Sequence, residues 1–342
     1  AHSFSATASG LTCGSSAVSG AGAASLAATA AAALSGTLIV TTPVPLTVGQ
    51  VVVMTLTVTN TGATAATGVT ASVVPGGPFG ILGGPYPAGP VGIAGGGAAQ
   101  TFMWTYTATG AGGVNFTGGV VGTDACGSAL TIGAPATPAV QILTLPSLEA
   151  AVTVEPISAC SGQSFQVRLT ITNSGEVTAN GVDAGALVLS GAGAALVGGP
   201  TPALPMAIAG GVSRTFTWTY TGAAAGSVWF TTTVSGTDAL TAAGLTTGPV
   251  TSVPVTISTP AVLVSSVSAP PAACTGSVVT VTLTVTNAGG VDAMAVSPSA
   301  TTTSGSGLFG APTPASQTVP AGTMRTFAWS YTVGTVGAHS FS

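Results

Sequence analysis

Few side chains in this 342-residue chain could do chemistry, and their spacing argues against most reactions. His2 and His339 sit in the same pentapeptide, Ala-His-Ser-Phe-Ser, at residues 1–5 and 338–342, so they are one repeat position met twice. A nucleophilic triad needs an imidazole held between a hydroxyl or thiol and a carboxylate, and neither His has that company. Asp124 and Asp238 each stand in Gly-Thr-Asp-Ala, one repeat apart. Paired-carboxylate catalysis needs two acids at one site, and a calcium site wants more than one carboxylate. Each Asp reads instead as the closure of a turn by its own side chain. The four cysteines, Cys13, Cys126, Cys160 and Cys274, form no Cys-x-x-Cys pair, which argues against zinc. The expectation is a chain with no catalytic residue, no metal site and no cofactor, and not an enzyme.

Charge narrows the field further. Arg168, Arg214 and Arg325 are the only basic side chains besides the two His, seven acids bring the net charge to −4, and 3% of residues are charged. Nucleic-acid binding depends on a basic patch that displaces counterions, and a polybasic membrane anchor needs clustered Lys and Arg; both are excluded. No apolar run reaches membrane-spanning length, the longest Ala-rich stretch being Leu26–Leu34. The start carries neither Met nor a basic, apolar leader, which reads as a processed product or a window of something longer. Charge keeps free monomers apart, so a surface built of Thr, Ser, Gly and Ala is expected to be covered, by neighbouring copies or by glycan.

The elements that must position these residues are repeats. FMWTYTATGAGGVNF (102–116), FTWTYTGAAAGSVWF (216–230) and FAWSYTVGTVGAHSF (327–341) match one another. Upstream of each lies a second block: VVVMTLTVTNTG (51–62), FQVRLTITNSG (165–175) and VVTVTLTVTNAGG (278–290). Between the blocks sit GGPYPAG, GGPTPAL and GAPTPAS. Within them apolar and Thr residues alternate with period two, as in Val53, Thr55, Thr57 and Thr59 against Met54, Leu56 and Val58, the mark of half-buried strands. With 50 Gly and 23 Pro against long helices, the expected fold class is all-β: tandem immunoglobulin-like β-sandwich repeats of about 112 residues each. Trp104, Trp218 and Trp329, with Phe116 and Phe230, are the expected core anchors. Trp229 lies outside the repeat beside Phe230 and should point outward, toward another copy or a ligand.

The phenylalanines at 4, 116, 230 and 341 recur in steps of 112, 114 and 111 residues. The expected division is therefore 1–37 as the last strands (F and G) of a split unit, 38–146 as unit one, 147–260 as unit two, and 261–342 as strands A to E and the start of F of unit three. In the G position, Leu26–Leu34 has helical propensity, but the repeat assigns it to a strand. Residues 1–37 of one period should complete 261–342 of its neighbour, either in a continuous polypeptide or by head-to-tail strand complementation.

Sandwich topology places an early cysteine, just before strand B, against a late one, just after strand F, in the following unit. That rule pairs Cys160 with Cys13 and Cys274 with Cys126 of the next period and leaves none over, whereas pairing within units leaves Cys126 and Cys160 unmatched. Such bonds imply an oxidising, extracellular setting. Asn115-Phe116-Thr117 is an N-glycosylation acceptor, with Asn115 expected on the outside. Arg214 and Arg325 share a slot that Gln100 fills in unit one, and a structural hydrogen bond to a loop carbonyl is the expected role.

The blocks VTLTVTNAG (281–289), its relatives at 53–62 and 167–175, and FTWTYT (216–221) resemble the conserved Ig-like repeats of prokaryotic surface proteins, the domain-of-unknown-function and CARDB-type adhesin modules. The resemblance implies a sandwich repeated many times in a secreted or surface-anchored protein. Together these readings point to a structural subunit of an extracellular filament or surface sheath, partnered by copies of itself end to end and side by side. The alternative is the repetitive stalk of an adhesin. A carbohydrate-binding or hydrolytic module would need an acid pair in a cleft, which the sequence lacks.

Overall fold

The computed structural model of the chain describes residues 2–11, 17–26, 29–133, 135–299 and 302–342. Among these, every regular element is a strand, and no helix is long and apolar enough to cross a membrane. The chain divides into two compact units, Ala1–Leu145 with Gly175–Val177, and Pro146–Ser174 with Thr178–Ser342.

The first unit holds a complete sandwich. One sheet runs in the order Leu34–Val40, Val51–Asn60, Ala98–Ala108, Phe79–Tyr86; the other runs Ala129–Ile132, Phe116–Asp124, Ala66–Pro75, Val91–Ile93. This is the A-B-E-D against G-F-C layering of immunoglobulin-like folds. The alternation of the sequence is what fills the space between the sheets. Val52, Met54, Leu56 and Val58 from one strand and Phe102, Trp104 and Tyr106 from its partner all lie at 2% exposure or less, while the intervening Thr residues face out. The second unit repeats the plan with Leu148–Glu155, Ser164–Asn173, Ser213–Gly222 and Ala194–Thr201 facing Gly244–Thr246, Val234–Asp238, Ala179–Ala184 and Met206–Ile208. It then begins a third sandwich with Leu263–Ser268, Val278–Asn287, Met324–Val333 and Gly307–Phe309. The chain is thus all-β, a tandem of immunoglobulin-like sandwiches.

The repeated Gly-Gly-Pro blocks lie over the core tryptophans. Gly84 has φ of 109°, and a Cβ there would stand 2.9 Å from Trp104 Cδ1; Gly199, with φ of 112°, would bring one to 2.8 Å from Trp218 Cα. Only glycine allows both the backbone conformation and the approach.

One expected boundary moves. Leu34–Val40 pairs residue for residue with Val51–Asn60, from Leu34 opposite Asn60 to Val40 opposite Met54. The first strand of sandwich one therefore starts before residue 38. The Ala-rich run is not one strand either: Leu26 ends the strand Ala17–Leu26, residues 29–33 are irregular, and Ala32 is packed in the core of sandwich one.

Candidate functional site

The feature that sets sandwich three apart is an unfilled sheet edge. In sandwich one, Ala66–Pro75 is paired on one side with Val91–Ile93 and on the other with Phe116–Asp124. In sandwich two, Ala179–Ala184 lies between Met206–Ile208 and Val234–Asp238. Its counterpart in sandwich three, Ala293–Val296, pairs with Gln317–Val319 and, among the described residues, with no strand on its other side. A neighbouring slot is unfilled too. Leu46–Thr47 and Ser158–Cys160 each pair in parallel with a late strand, Val140–Leu143 and Val255–Ser258, but residues 272–274 lie in no strand.

The open edge leaves an open core. Leu38, Val152 and Val267 occupy one position, opposite Leu56, Leu169 and Leu283. Their exposures are 5%, 8% and 41%. A groove of about 710 Å³ in this sandwich is lined by Ala269–Thr275, Val279, Tyr331, Val333 and His339. No carboxylate, Lys or Arg lines it.

Two strands without a counterpart among the described residues of sandwich three have their likeness near the start of the sequence. His2–Leu11 and Ala17–Leu26 form an antiparallel hairpin that pairs with no other strand among the described residues. Its register places Leu11 opposite Ala17; in sandwich one, 112 residues on, Thr123 stands opposite Ala129. The hairpin thus has the pairing of the late hairpin that completes sandwich one. Phe4, in the position of the buried Phe116, is 66% exposed.

The remaining sequence candidates fall as follows. Trp104, Trp218 and Trp329 are 2%, 7% and 4% exposed, and Phe116 and Phe230 are fully buried. Trp229, opposite Ser190, is 37% exposed on the outer face of its sheet. Asn115 and Thr117 are exposed. Asp124 Oδ1 accepts the amides of Cys126 and Ser128, both at 2.8 Å. Asp238 Oδ1 accepts the Leu240 amide at 2.8 Å and its Oδ2 the Thr241 hydroxyl at 2.6 Å. Burial pushes the Asp238 carboxyl up, but the Thr241 hydroxyl and the amides of Leu240 and Thr241 outweigh it and hold the group below the usual carboxylate range. Both acids close turns, and no cluster of metal-ligating side chains occurs among the described residues. The loop-carbonyl role expected for Arg325 is not what the structure has: its Nη1 donates to the carbonyl of its own neighbour Met324 at 3.1 Å, because the side chain lies exposed along its strand. Gln100 likewise donates to adjacent Thr101 at 3.0 Å. Arg168, on the outer face, pairs with Glu155 at 3.2 Å. Cys126 and Cys274 are exposed free thiols and Cys160 is a half-exposed one; Cys13 lies outside the described residues.

Sequence reasoning missed the most constrained polar side chains. Asn60, Asn173 and Asn287 are fully buried, each at the end of its strand, where Asn close to Gly ordinarily marks a turn. Asn287 Oδ1 accepts the amides of Val262 and Gly289, and its Nδ2 donates to the carbonyls of Val291 and Val319. The signal was the Thr-Asn pair at one position of all three repeats.

No family model matches this chain, and no curated protein matches it. Among solved structures, the D00–D0 domain of intimin is 12% identical, covering 64% of this chain and 99% of its own, with a TM-score of 0.25. Extracellular cadherin domains 3–6 of protocadherin gamma B2 are 11% identical over 98% of this chain and 76% of theirs, at a TM-score of 0.38. The native conformation of E. coli alpha-2-macroglobulin is 13% identical over 70% of this chain and 18% of its own, at 0.25. Likenesses this remote transfer no function.

Proposed function

We propose that this chain is a structural subunit of an extracellular filament or surface sheath, polymerising end to end as the leading hairpin of one copy completes sandwich three of another. The observations that carry this reading are the edge of Ala293–Val296, unpaired among the described residues, and, elsewhere in the chain, a hairpin whose register matches that of the hairpin filling the same edge in sandwich one. An open edge is a template for strand addition. Here the gain would be larger than backbone pairing, because incoming strands would also cover apolar surface of the open core, such as the exposed Val267. Disulfides joining Cys160 to Cys13 and Cys274 to Cys126 of the adjoining copy would brace the junctions. With 3% charged residues, charge repulsion does little to hold copies apart. On this reading the protein has no catalytic role and works at the cell surface or beyond it.

Sedimentation and negative-stain imaging of the 342-residue chain test this. The chain should form linear particles with an axial repeat of three sandwiches, and deletion of residues 1–26 should leave monomers. A chain that stays monomeric at all concentrations, as an isolated adhesin stalk would, overturns the proposal; so does a deletion variant that polymerises as well as the full chain.

A further inference from the structure

We infer that Asn115 of sandwich one is an N-glycosylation site, the acceptor for an oligosaccharide delivered on a polyprenyl phosphate carrier. This rests on the extracellular setting proposed above and is independent of assembly.

The acceptor sequence is Asn-x-Ser/Thr with x other than Pro. Asn60, Asn173, Asn180 and Asn287 are followed two residues on by Gly62, Gly175, Val182 and Gly289; only Asn115 has a hydroxyl residue there, Thr117. A matching tripeptide carries little weight by itself. What carries the inference is how the fold presents this one. Residues two apart in extended chain lie on the same side. Phe116 is fully buried against Phe79 and Tyr106, so Asn115 and Thr117 both project outward, and both are exposed. Asn115 lies in the break between Gly112–Val114, which pairs with Val140–Leu143, and Phe116–Asp124, which pairs with Ala66–Pro75. Gly76 stands beside it: a Cβ there would collide with Asn115 Oδ1, so the glycine leaves the amide its room. Among the described residues the Asn115 side chain makes no hydrogen bond.

The hydroxyl of the pair is free for a specific reason. In sandwich two the same position is Thr231, which stands opposite Thr251 with the two hydroxyls 2.8 Å apart. In sandwich one Thr117 stands opposite Ala136, which has no hydroxyl to offer. Thr117 Oγ1 therefore has no hydrogen-bond partner among the described residues. Sandwich two also lacks the acceptor, since Trp229 precedes Phe230 where Asn115 precedes Phe116. An acceptor amide and an unengaged hydroxyl meet in sandwich one and not in sandwich two.

In the transfer, Asn115 Nδ2 attacks the anomeric carbon of the donor sugar. A carbon–nitrogen bond forms, and the bond from that carbon to the carrier's phosphate oxygen breaks. The carrier phosphate leaves with the electron pair, and one Nδ2 proton passes to a base of the transferase. The product is a bulky, solubilising group on a surface whose few charges do little to keep copies apart. Close packing of another copy at Asn115 is thereby prevented, so lateral contacts must lie elsewhere.

The experiment is peptide mapping by mass spectrometry of the protein recovered from its own cells, beside Asn115→Gln, Thr117→Ser and Thr117→Ala made in the same cells. The substitutions fall on exposed side chains, where changes rarely disturb folding. The wild-type peptide containing Asn115 should carry one oligosaccharide, released by hydrolysis of the amide linkage. Thr117→Ser should keep it, and Asn115→Gln and Thr117→Ala should each lose it. A bare Asn115 in protein found outside the cell overturns the glycosylation while the extracellular reading stands. So does sugar on this peptide that survives Asn115→Gln, which would place it on a hydroxyl. Protein found only in the cytosol overturns both.

Discussion

Asn60 reaches across sandwich one to Ile93, its Nδ2 donating to the Ile93 carbonyl at 3.1 Å. The same amide donates to Thr64 O and accepts from the amides of Ala33 and Gly62. One fully buried side chain thus satisfies four backbone groups and ties one sheet to the other. Replacing it by Ala strands those groups in the interior, and a buried unpaired group costs about 1–3 kcal/mol. We expect Asn60→Ala to destabilise sandwich one by roughly 3 kcal/mol or more, read as a lower denaturation midpoint. Asn60→Asp keeps the two acceptor bonds but turns two donor contacts into oxygen facing oxygen, and should be no better than Ala.

Tyr106 makes a simpler test of a buried polar tip. Its hydroxyl donates to the Val73 carbonyl at 2.9 Å, and burial raises its pKa above the ordinary 10.0. Tyr106→Phe should cost about 1–2 kcal/mol near neutral pH. The sign of the pH dependence follows from the raised pKa. The unfolded chain releases the proton first, so the contribution of Tyr106 is complete below about pH 10 and is lost as pH climbs through the higher, folded value. The advantage of wild type over Tyr106→Phe should shrink in denaturation curves taken above pH 10.

How much of this was legible beforehand depended on whether a position announced itself by pattern alone. Trp104, Trp218 and Trp329 did, because period-two alternation fixes which face a strand residue takes. The open core around Val267 was legible only through the repeat, by comparing the strands of sandwich three among the described residues with those of sandwiches one and two. Asn60, Asn173 and Asn287 were not read as interior, because Asn near Gly and Thr is the ordinary signature of a turn and its partners are backbone groups up to 35 residues away, as for Asn173 and Ile208. The start of sandwich one at Leu34 was hidden because Ala-rich sequence carries no alternation. What set it was pairing with Val51–Asn60, a tertiary contact that overrides local propensity.

Asp238 predicts the opposite end of the pH scale. It is 3% exposed and accepts three hydrogen bonds within its own turn. Asp238→Asn keeps the shape but loses the charge that strengthens them, and should cost about 1–2 kcal/mol at pH 7. Because the folded pKa lies below the ordinary 3.8, the stabilisation is complete above the unfolded value and disappears as pH falls through the folded one. The two proteins should differ in urea midpoint at pH 7 and converge in strong acid. A gap that persists unchanged at pH 2 would show that the carboxylate's charge has no part in it.

The thiols give the test that bears on assembly. Cys126 and Cys274 are exposed, and Cys160 is half-covered, so a thiol reagent should modify the first two faster than Cys160 in the free chain. In the assembled protein, each junction would carry two links, Cys160 to Cys13 and Cys274 to Cys126 of the adjoining copy. A mild dithiol oxidant, taking up two electrons and two protons per bond formed, should then convert the polymer into a covalent ladder on non-reducing gels. Cys274→Ser removes one link and should leave the ladder standing on the other; Cys160→Ser should behave alike. The double variant Cys160→Ser/Cys274→Ser should run as monomer after oxidation while still assembling in solution, since strand completion rather than sulfur holds the copies together. A ladder that survives the double variant would mean that the remaining pair, Cys13 and Cys126, meet across some other contact, and the head-to-tail order of sandwiches would have to be redrawn.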